Sequence, residues 1–349
     1  MRFKNVYLES LACHLPDNVV TSTDLEERLA PIYDRLKLPY GRLEMMSGIK
    51  ERRFWDKGVF PSQVASIAGE KAIQHSRIDR MEIGCLINAS VCRDFLEPAT
   101  ASLVHHNLNL QSNALVFDIS NACLEVLNGM VHIANMIELG QIHAGLIVAG
   151  ENGGPLVDAT IESLLSRSNL TRNEIKKSFA SLTIGSAAVG VLLVHKDISK
   201  FNHRLLGGSS RAATQFNDLC QGNDESGLEH SGWSPLMNTD AETMMHEGCK
   251  LAGQTWDATK KKFGWTNNDV SRTFCHQVGQ MHRNLLYKTL ELDSEKDFSS
   301  LEFLGNTGAA SLPSTLALGV EKKILKQGDK VALLGIGSGL NCLMLGVEW

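Results

Sequence analysis

Short, continuously apolar runs alternate with amphipathic stretches along most of this chain. The runs over 83–89, 144–150, 187–194, 330–335 and 340–347 lack the polar-apolar alternation of a half-exposed strand. They read as strands covered by helices on both faces. Between them, Leu124, Leu127, Val131, Ala134 and Ile137 recur at helical spacing, which predicts a helix over 124–139. Further helices are predicted over 62–76, 241–263 and 309–326. Residues 114–120 read as a buried strand. Residues 273–276 and 302–306 read as strand ends.

The order helix, strand, strand, helix, strand, strand occurs twice. This predicts two similar α/β halves, 1–198 and 199–349, packed into one body. The stretch 158–178 is polar and helical and reads as a surface insertion. Residues 221–238, with Gly222, Gly227, Gly232 and Pro235, read as a loop.

Cys123 falls between the strand ending near Ser120 and the helix that follows. Unpaired N–H groups and the helix dipole at such a junction favour a thiolate. A thiol so placed can drop from about 8.5 to roughly 3.5–7.5 in pKa. Cys123 is therefore a candidate nucleophile. His276 and Asn306 end corresponding segments of the second half, and sheets of this kind gather ligands at the carboxyl ends of their strands. Two N–H donors converging there would hold an enolate or oxyanion. Each residue also has an ordinary structural use: packing for the cysteine, a turn for the Asn-Thr-Gly sequence. The set of three at matching positions carries the argument.

Composition narrows the classes. A net charge of −5 gives no electrostatic case for nucleic acid or an acidic membrane surface. Eight dispersed cysteines without a C-x-x-C pair argue against zinc and against a disulfide framework, so no metal is expected. The polar residues soon after Met1 do not read as a signal peptide, and the glycine-broken run over 331–347 is too short for a membrane span. A reduced cytoplasmic protein is the expectation. The glycines at 335, 337 and 339 lack the following helix, strand and acidic residue of a dinucleotide loop.

Three motifs carry a resemblance. Asp118-Ile119-Ser120-Asn121-Ala122-Cys123, His276-Gln277 and Gly305-Asn306-Thr307-Gly308-Ala309-Ala310-Ser311 resemble the Cys-His-Asn motifs of the ketoacyl synthase III branch of the thiolase superfamily. The resemblance spans nearly the whole chain, from Ser47-Gly48-Ile49-Lys50-Glu51-Arg52-Arg53 to Gly337-Ser338-Gly339-Leu340. It implies a duplicated thiolase fold, a five-layered α/β/α/β/α sandwich active as a homodimer. It implies acylation of Cys123 by a thioester, with His276 and Asn306 on the second substrate's thioester oxygen. The backbone N–H groups of Cys123 and Ser338 would form a second oxyanion hole. No resident cofactor is implied; coenzyme A thioesters are the substrates. Arg52 and Arg53 are candidates for the coenzyme A phosphates, with a solvated basic face as the alternative.

The chain departs from decarboxylating synthases in reading His276-Gln277-Val278-Gly279, and in carrying Met46-Ser47 where an Arg-Thr pair is usual. The stretch Cys92-Arg93-Asp94-Phe95-Leu96-Glu97-Pro98 is similar to OleA-type enzymes, which join two fatty acyl-CoA molecules head to head. There a glutamate at this position enters the partner subunit's site and is thought to act as a base. A malonyl unit forms its carbanion by losing carbon dioxide, whereas a plain acyl-CoA must lose a proton from carbon. A carboxylate in an apolar pocket is the stronger base. The resemblance thus implies a non-decarboxylative Claisen condensation of two long-chain fatty acyl-CoA molecules, in olefin or β-lactone biosynthesis with downstream pathway enzymes. A decarboxylative 3-oxoacyl-ACP synthase and a non-catalytic partner subunit are the alternatives.

Overall fold

A computed structural model of the chain describes residues 1–222 and 236–349. The core of the loop expected over 221–238 lies outside the described residues. Its flanks, Cys220–Gly222 and Met237–Thr239, pair as a two-stranded antiparallel ladder.

Nine strands form the main sheet: β1 (Val6–His14), β2 (Ile83–Asn88), β3 (Leu115–Asp118), β4 (Ala144–Glu151), β5 (Ala187–His195), β6 (Arg204–Ala212), β7 (Arg272–Cys275), β8 (Lys330–Gly337) and β9 (Asn341–Glu348). Their spatial order is β7-β8-β9-β6-β1-β5-β4-β2-β3. One run is β3-β2-β4-β5-β1; the other, β7-β8-β9-β6, follows the same winding without a full third strand. The runs meet where Tyr7 of β1 pairs with Arg204 of β6.

Helices cover the sheet because its strands are apolar on both faces. Every residue of β4 is buried. Helix α1 (Pro61–Ser76) and helix α2 (Thr100–Asn107) pack on one outer face, around Leu86, Leu146 and Leu192. Helix α3 (Glu125–Glu138) buries Val126, Leu127, Met130, Ile133 and Ile137 in the largest apolar cluster. Helices α4 (Gly154–Ser166) and α5 (Arg172–Ser178) follow; α4 buries Val157, Ile161 and Leu164, so the 158–178 region is a packed part of the body rather than a surface insertion. Helix α6 (Ala241–Phe263) and helix α7 (Gln280–Leu290) cover the other outer face around Leu334 and Met344. Helix α8 (Ser311–Glu321) shares the α3 cluster through Leu312 and Leu316, which also holds Ile87 and Val189 of one run and Leu333 and Leu345 of the other. The two central helices therefore sit between the two runs.

Two expectations need correction. Residues 302–306 are not a strand: Leu301–Leu304 is one helical turn, closed by Gly305 at φ +67°. A Cβ at Gly305 would lie 2.6 Å from the Thr183 carbonyl oxygen, so the turn demands glycine. The edge beyond β7 is instead occupied by Asp297, bridged to Thr273. Residues 115–118 form an edge strand, with Leu115 54% exposed, rather than a buried one. Among the described residues no helix is long and apolar enough to cross a membrane.

Candidate active site

Cys123 lies in a 3₁₀ turn, Ala122–Leu124, between β3 and α3. Ala122 has φ +49°, a left-handed conformation that costs a residue with a Cβ about 1 kcal/mol or more. That kink takes the chain sharply from strand into helix. The turn packs against the 3₁₀ turn Gly308–Ala310 and against β8. A Cβ on Gly337 would come within 3.6 Å of the Cys123 nitrogen, so the end of β8, with Ser338 next in sequence, lies against the Cys123 backbone. Asn341 ties these parts together: its Nδ2 donates to Asn121 Oδ1 at 3.1 Å and to the Ser338 carbonyl at 3.3 Å.

Asn306 is held from three sides. Its N–H donates to the Thr183 carbonyl, its own carbonyl accepts from Gly185, and its Oδ1 accepts the Gly308 N–H at 3.1 Å. With the amide oxygen occupied, the side chain's remaining capacity is its NH₂ donor. His276 continues β7 by donating its N–H to the Leu334 carbonyl, and the next residue, Gln277, donates to Ser311 Oγ at the start of α8. Cys123, His276 and Asn306 therefore converge on the first turn of α8.

His276 is buried, and desolvation, with His282 nearby, pushes its pKa down to about 3. A neutral imidazole donates a hydrogen bond and is a weak base. Cys123 departs from the expected acidity: enclosure of its thiol, then Cys220, Glu151 and Glu125 nearby, pushes it up to about 12. A 3₁₀ turn facing buried carboxyl groups does not deliver the thiolate that a bare helix N-terminus would.

Glu125 and Glu151 escaped the sequence reading. Glu125 is buried in the first turn of α3; its Oε1 accepts the Asn121 N–H at 3.0 Å, while its Oε2 has no hydrogen-bond partner. Desolvation, reinforced by Glu151, raises it to about 8. Against an ordinary value of 4.5 for the unfolded chain, the native state binds this proton more tightly. The contribution to stability is present below the unfolded value and is lost as pH rises through 8. Glu125→Gln removes that loss. Thermal melts should show the variant gaining roughly 3 °C or more on the parent at pH 9 relative to pH 6. An equal difference at both pH values contradicts the assignment. The available signal was a carboxylate two residues after the cysteine.

Glu97 lies on the loop between β2 and α2. It is exposed in the single chain, beside Phe95 and Leu96, 46% and 67% exposed. The apolar pocket expected around it is absent from one copy. Arg52 does not reach a surface: it is fully buried, its Nη1 donating to Ser22 Oγ at 3.0 Å and its Nη2 to the Leu182 carbonyl at 3.2 Å. Arg53 donates to the Pro16 carbonyl at 2.8 Å. Strand alternation over Glu51–Phe54 turns Arg52 inward with Phe54, so the basic run is not one exposed face. Cations instead rim a cavity of ≈ 150 Å³ lined by Lys37, Arg42, Met46, Arg172, Lys176 and neighbours. Among the described residues no group of three or more His, Cys, Asp or Glu side chains is placed to hold a metal.

The turn carrying Cys123 and the segments carrying His276 and Asn306 meet at the start of α8, an arrangement that fits an acyl-condensing enzyme of thiolase-like fold. The profile of the 3-oxoacyl-[acyl-carrier-protein (ACP)] synthase III C-terminal family matches residues 261–349. An acyl-CoA:acyl-CoA alkyltransferase of Shewanella oneidensis is 42% identical over 100% of both chains, and one of Xanthomonas campestris 38% identical over 100% of both. A solved structure of Xanthomonas campestris OleA, a cysteine-to-alanine variant, superposes with a TM-score of 0.93 over 100% of this chain and 98% of that one, at 38% identity. A cysteine-to-serine variant of that protein holds lauric acid and lauroyl-CoA. The chain belongs to the acyl-CoA:acyl-CoA alkyltransferase (OleA) family.

Proposed function

We propose that this chain joins two long-chain fatty acyl-CoA molecules by a non-decarboxylative Claisen condensation. The observation that carries the reading is the full-length match to two alkyltransferases of that name. Cys123 attacks the first thioester; the acyl group forms a bond to Sγ, and coenzyme A leaves carrying the thiol proton. Glu97 of a second copy removes a proton from the α-carbon of the second acyl-CoA. His276 and Asn306 donate N–H groups to the resulting enolate oxygen. The enolate carbon attacks the acyl-cysteine carbonyl, whose oxyanion takes the Cys123 and Ser338 backbone N–H groups. Loss of the Cys123 thiolate, which recovers the proton taken up by Glu97, gives a 2-alkyl-3-oxoacyl-CoA; attack of water on that thioester, with coenzyme A leaving, would give the free β-keto acid. A neutral His276 is too weak a base for a carbon acid, which supports assigning that step to Glu97.

A homodimer is part of the proposal. The exposed Val91, Phe95 and Leu96 lie on the Glu97 loop, and among the described residues β3 is an edge strand, paired on one side only, with β2. Both features suit burial against a second copy, which would supply the desolvation that a general base needs. The cation-rimmed cavity suits the coenzyme A phosphates better than Arg52 and Arg53 do. Met46, standing where an Arg-Thr pair is usual in the decarboxylating synthases, lines that same cavity. Eight free cysteines suit a reducing cytoplasm.

The test is release of coenzyme A from lauroyl-CoA as sole substrate. Release to completion without an added malonyl donor is expected. A strict requirement for malonyl-ACP would assign the chain to the decarboxylative synthases instead, and no acylation of Cys123 at all would leave a non-catalytic subunit.

A further inference from the structure

Glu151 ends β4, an otherwise apolar strand, and is 3% exposed. Its carboxylate accepts three backbone N–H groups. Oε1 takes Val91 at 2.9 Å and Ala309 at 3.2 Å; Oε2 takes Cys92 at 3.2 Å. Val91 and Cys92 lie early in the loop that carries Glu97. Ala309 belongs to the turn whose previous residue, Gly308, holds the Asn306 amide oxygen. One buried carboxylate thus bridges the loop carrying the candidate base and the turn carrying a candidate enolate donor.

The surroundings are shaped for that bridge. Gly308 has φ +57°, and a Cβ there would lie 3.1 Å from the Glu151 carboxyl carbon. A side chain at 308 would therefore crowd the carboxylate as well as strain the backbone. The base of the loop is secured to the same strand end by the Gly150 N–H on Ser90 Oγ at 2.7 Å and the Asn152 N–H on Cys92 Sγ at 3.3 Å. Farther along, Asp94 accepts from the Ser62 N–H at 2.8 Å and the Ser62 hydroxyl at 2.5 Å. The loop backbone is anchored as far as Asp94, and its tip, Phe95 to Pro98, stands exposed. Burial raises the Glu151 pKa, and the three N–H donors with the Cys92 thiol oppose that rise by favouring the carboxylate.

We propose that Glu151 is a positioning residue for carbon–carbon bond formation, setting the Glu97 loop of one site against the Asn306 turn of the other through shared backbone hydrogen bonds. In a homodimer whose Glu97 crosses to the partner, Glu151 of each copy holds its own Asn306 donor and aims its Glu97 at the neighbouring site. The two sites would then be coupled through one side chain per copy. The proposal rests on the roles given above to Glu97 and Asn306, and it extends them to a residue that acts through the backbone of the segments carrying both.

Glu151→Gln keeps the volume and one acceptor oxygen but turns an NH₂ group toward the Cys92 N–H. Misplacement of reacting groups by about 1 Å can lower a rate about a hundredfold. With lauroyl-CoA, condensation is therefore expected to fall about tenfold to a hundredfold, while acylation of Cys123, read by intact-protein mass spectrometry, stays within about threefold of the parent. Glu151→Asp keeps the charge but shortens the reach, so it should show the same split and serves if the Gln variant does not fold. Acylation and condensation falling together with the melting temperature would make Glu151 a purely structural residue. Condensation within twofold of the parent in both variants would also overturn the proposal. Glu97→Ala measured in parallel separates the two levels: if it leaves condensation intact, the reading of Glu97 fails first; if it abolishes condensation while both Glu151 variants retain it, only the role of Glu151 fails.

Discussion

Cys123→Ala should reduce condensation of lauroyl-CoA by about four orders of magnitude or more, to background, because a residue proposed to carry the covalent intermediate cannot be replaced by its neighbours. Intact-protein mass spectrometry should find no acyl adduct on the variant. The prediction is demanding here because the parent thiol is not pre-ionised: enclosure and the nearby Cys220, Glu151 and Glu125 hold it up at about 12. The rate of alkylation of the free enzyme should accordingly climb with pH well beyond 8 instead of levelling near neutrality. An acyl adduct that persists in Cys123→Ala, for example on Cys220, would remove Cys123 from the chemistry.

Glu97→Ala should separate the two halves of the reaction. General-base catalysis contributes typically about 10²- to 10⁴-fold, and condensation should fall by that order. Acylation of Cys123 should persist, since Glu97 plays no part in making the electrophile. Mixing the two dead variants tests where Glu97 acts. In a dimer of one Cys123→Ala copy and one Glu97→Ala copy, the Glu97→Ala copy contributes an intact Cys123 and receives Glu97 from its partner. Co-expression should therefore restore activity that neither variant has alone. If Glu97 served its own chain, mixed dimers would stay inactive. The exposed loop tip and the free edge of β3 are the features that favour restoration.

The regular elements were legible because their patterns are local. The helix predicted over 241–263 forms over the same residues, and the apolar runs form β2, β4, β5, β8 and β9 with ends shifted by a residue or two. Residues 302–306 misled because Phe303 and Leu304 look like strand, while the turn is decided by Gly305 meeting the Thr183 carbonyl from the other run. Among the candidate site residues, Cys123, His276 and Asn306 were readable as a set of positions, and the structure does bring them to the start of α8. Their protonation was not readable. The dipole argument for Cys123 holds for a helix end in water, but the thiol is enclosed, with Glu151, brought in from β4, and the neighbouring Glu125 adding to the effect. Arg52 shows the reverse: Glu51 to Phe54 alternates, and that alternation already turned it inward, yet a run of basic residues suggested a surface. Nothing in the sequence distinguishes Glu151 from any other strand-end carboxylate until Val91, Cys92 and Ala309 are seen around it.

The central claim is that both carbon chains come from plain acyl-CoA and that no carbon dioxide leaves during bond formation. Lauroyl-CoA labelled with ¹³C at its carbonyl carbon, supplied alone, tests this most directly by mass spectrometry of the first product formed. The account predicts a 2-alkyl-3-oxoacyl species containing two acyl chains and both labels. A product lengthened by a two-carbon unit, or none until a malonyl donor is added, would contradict it.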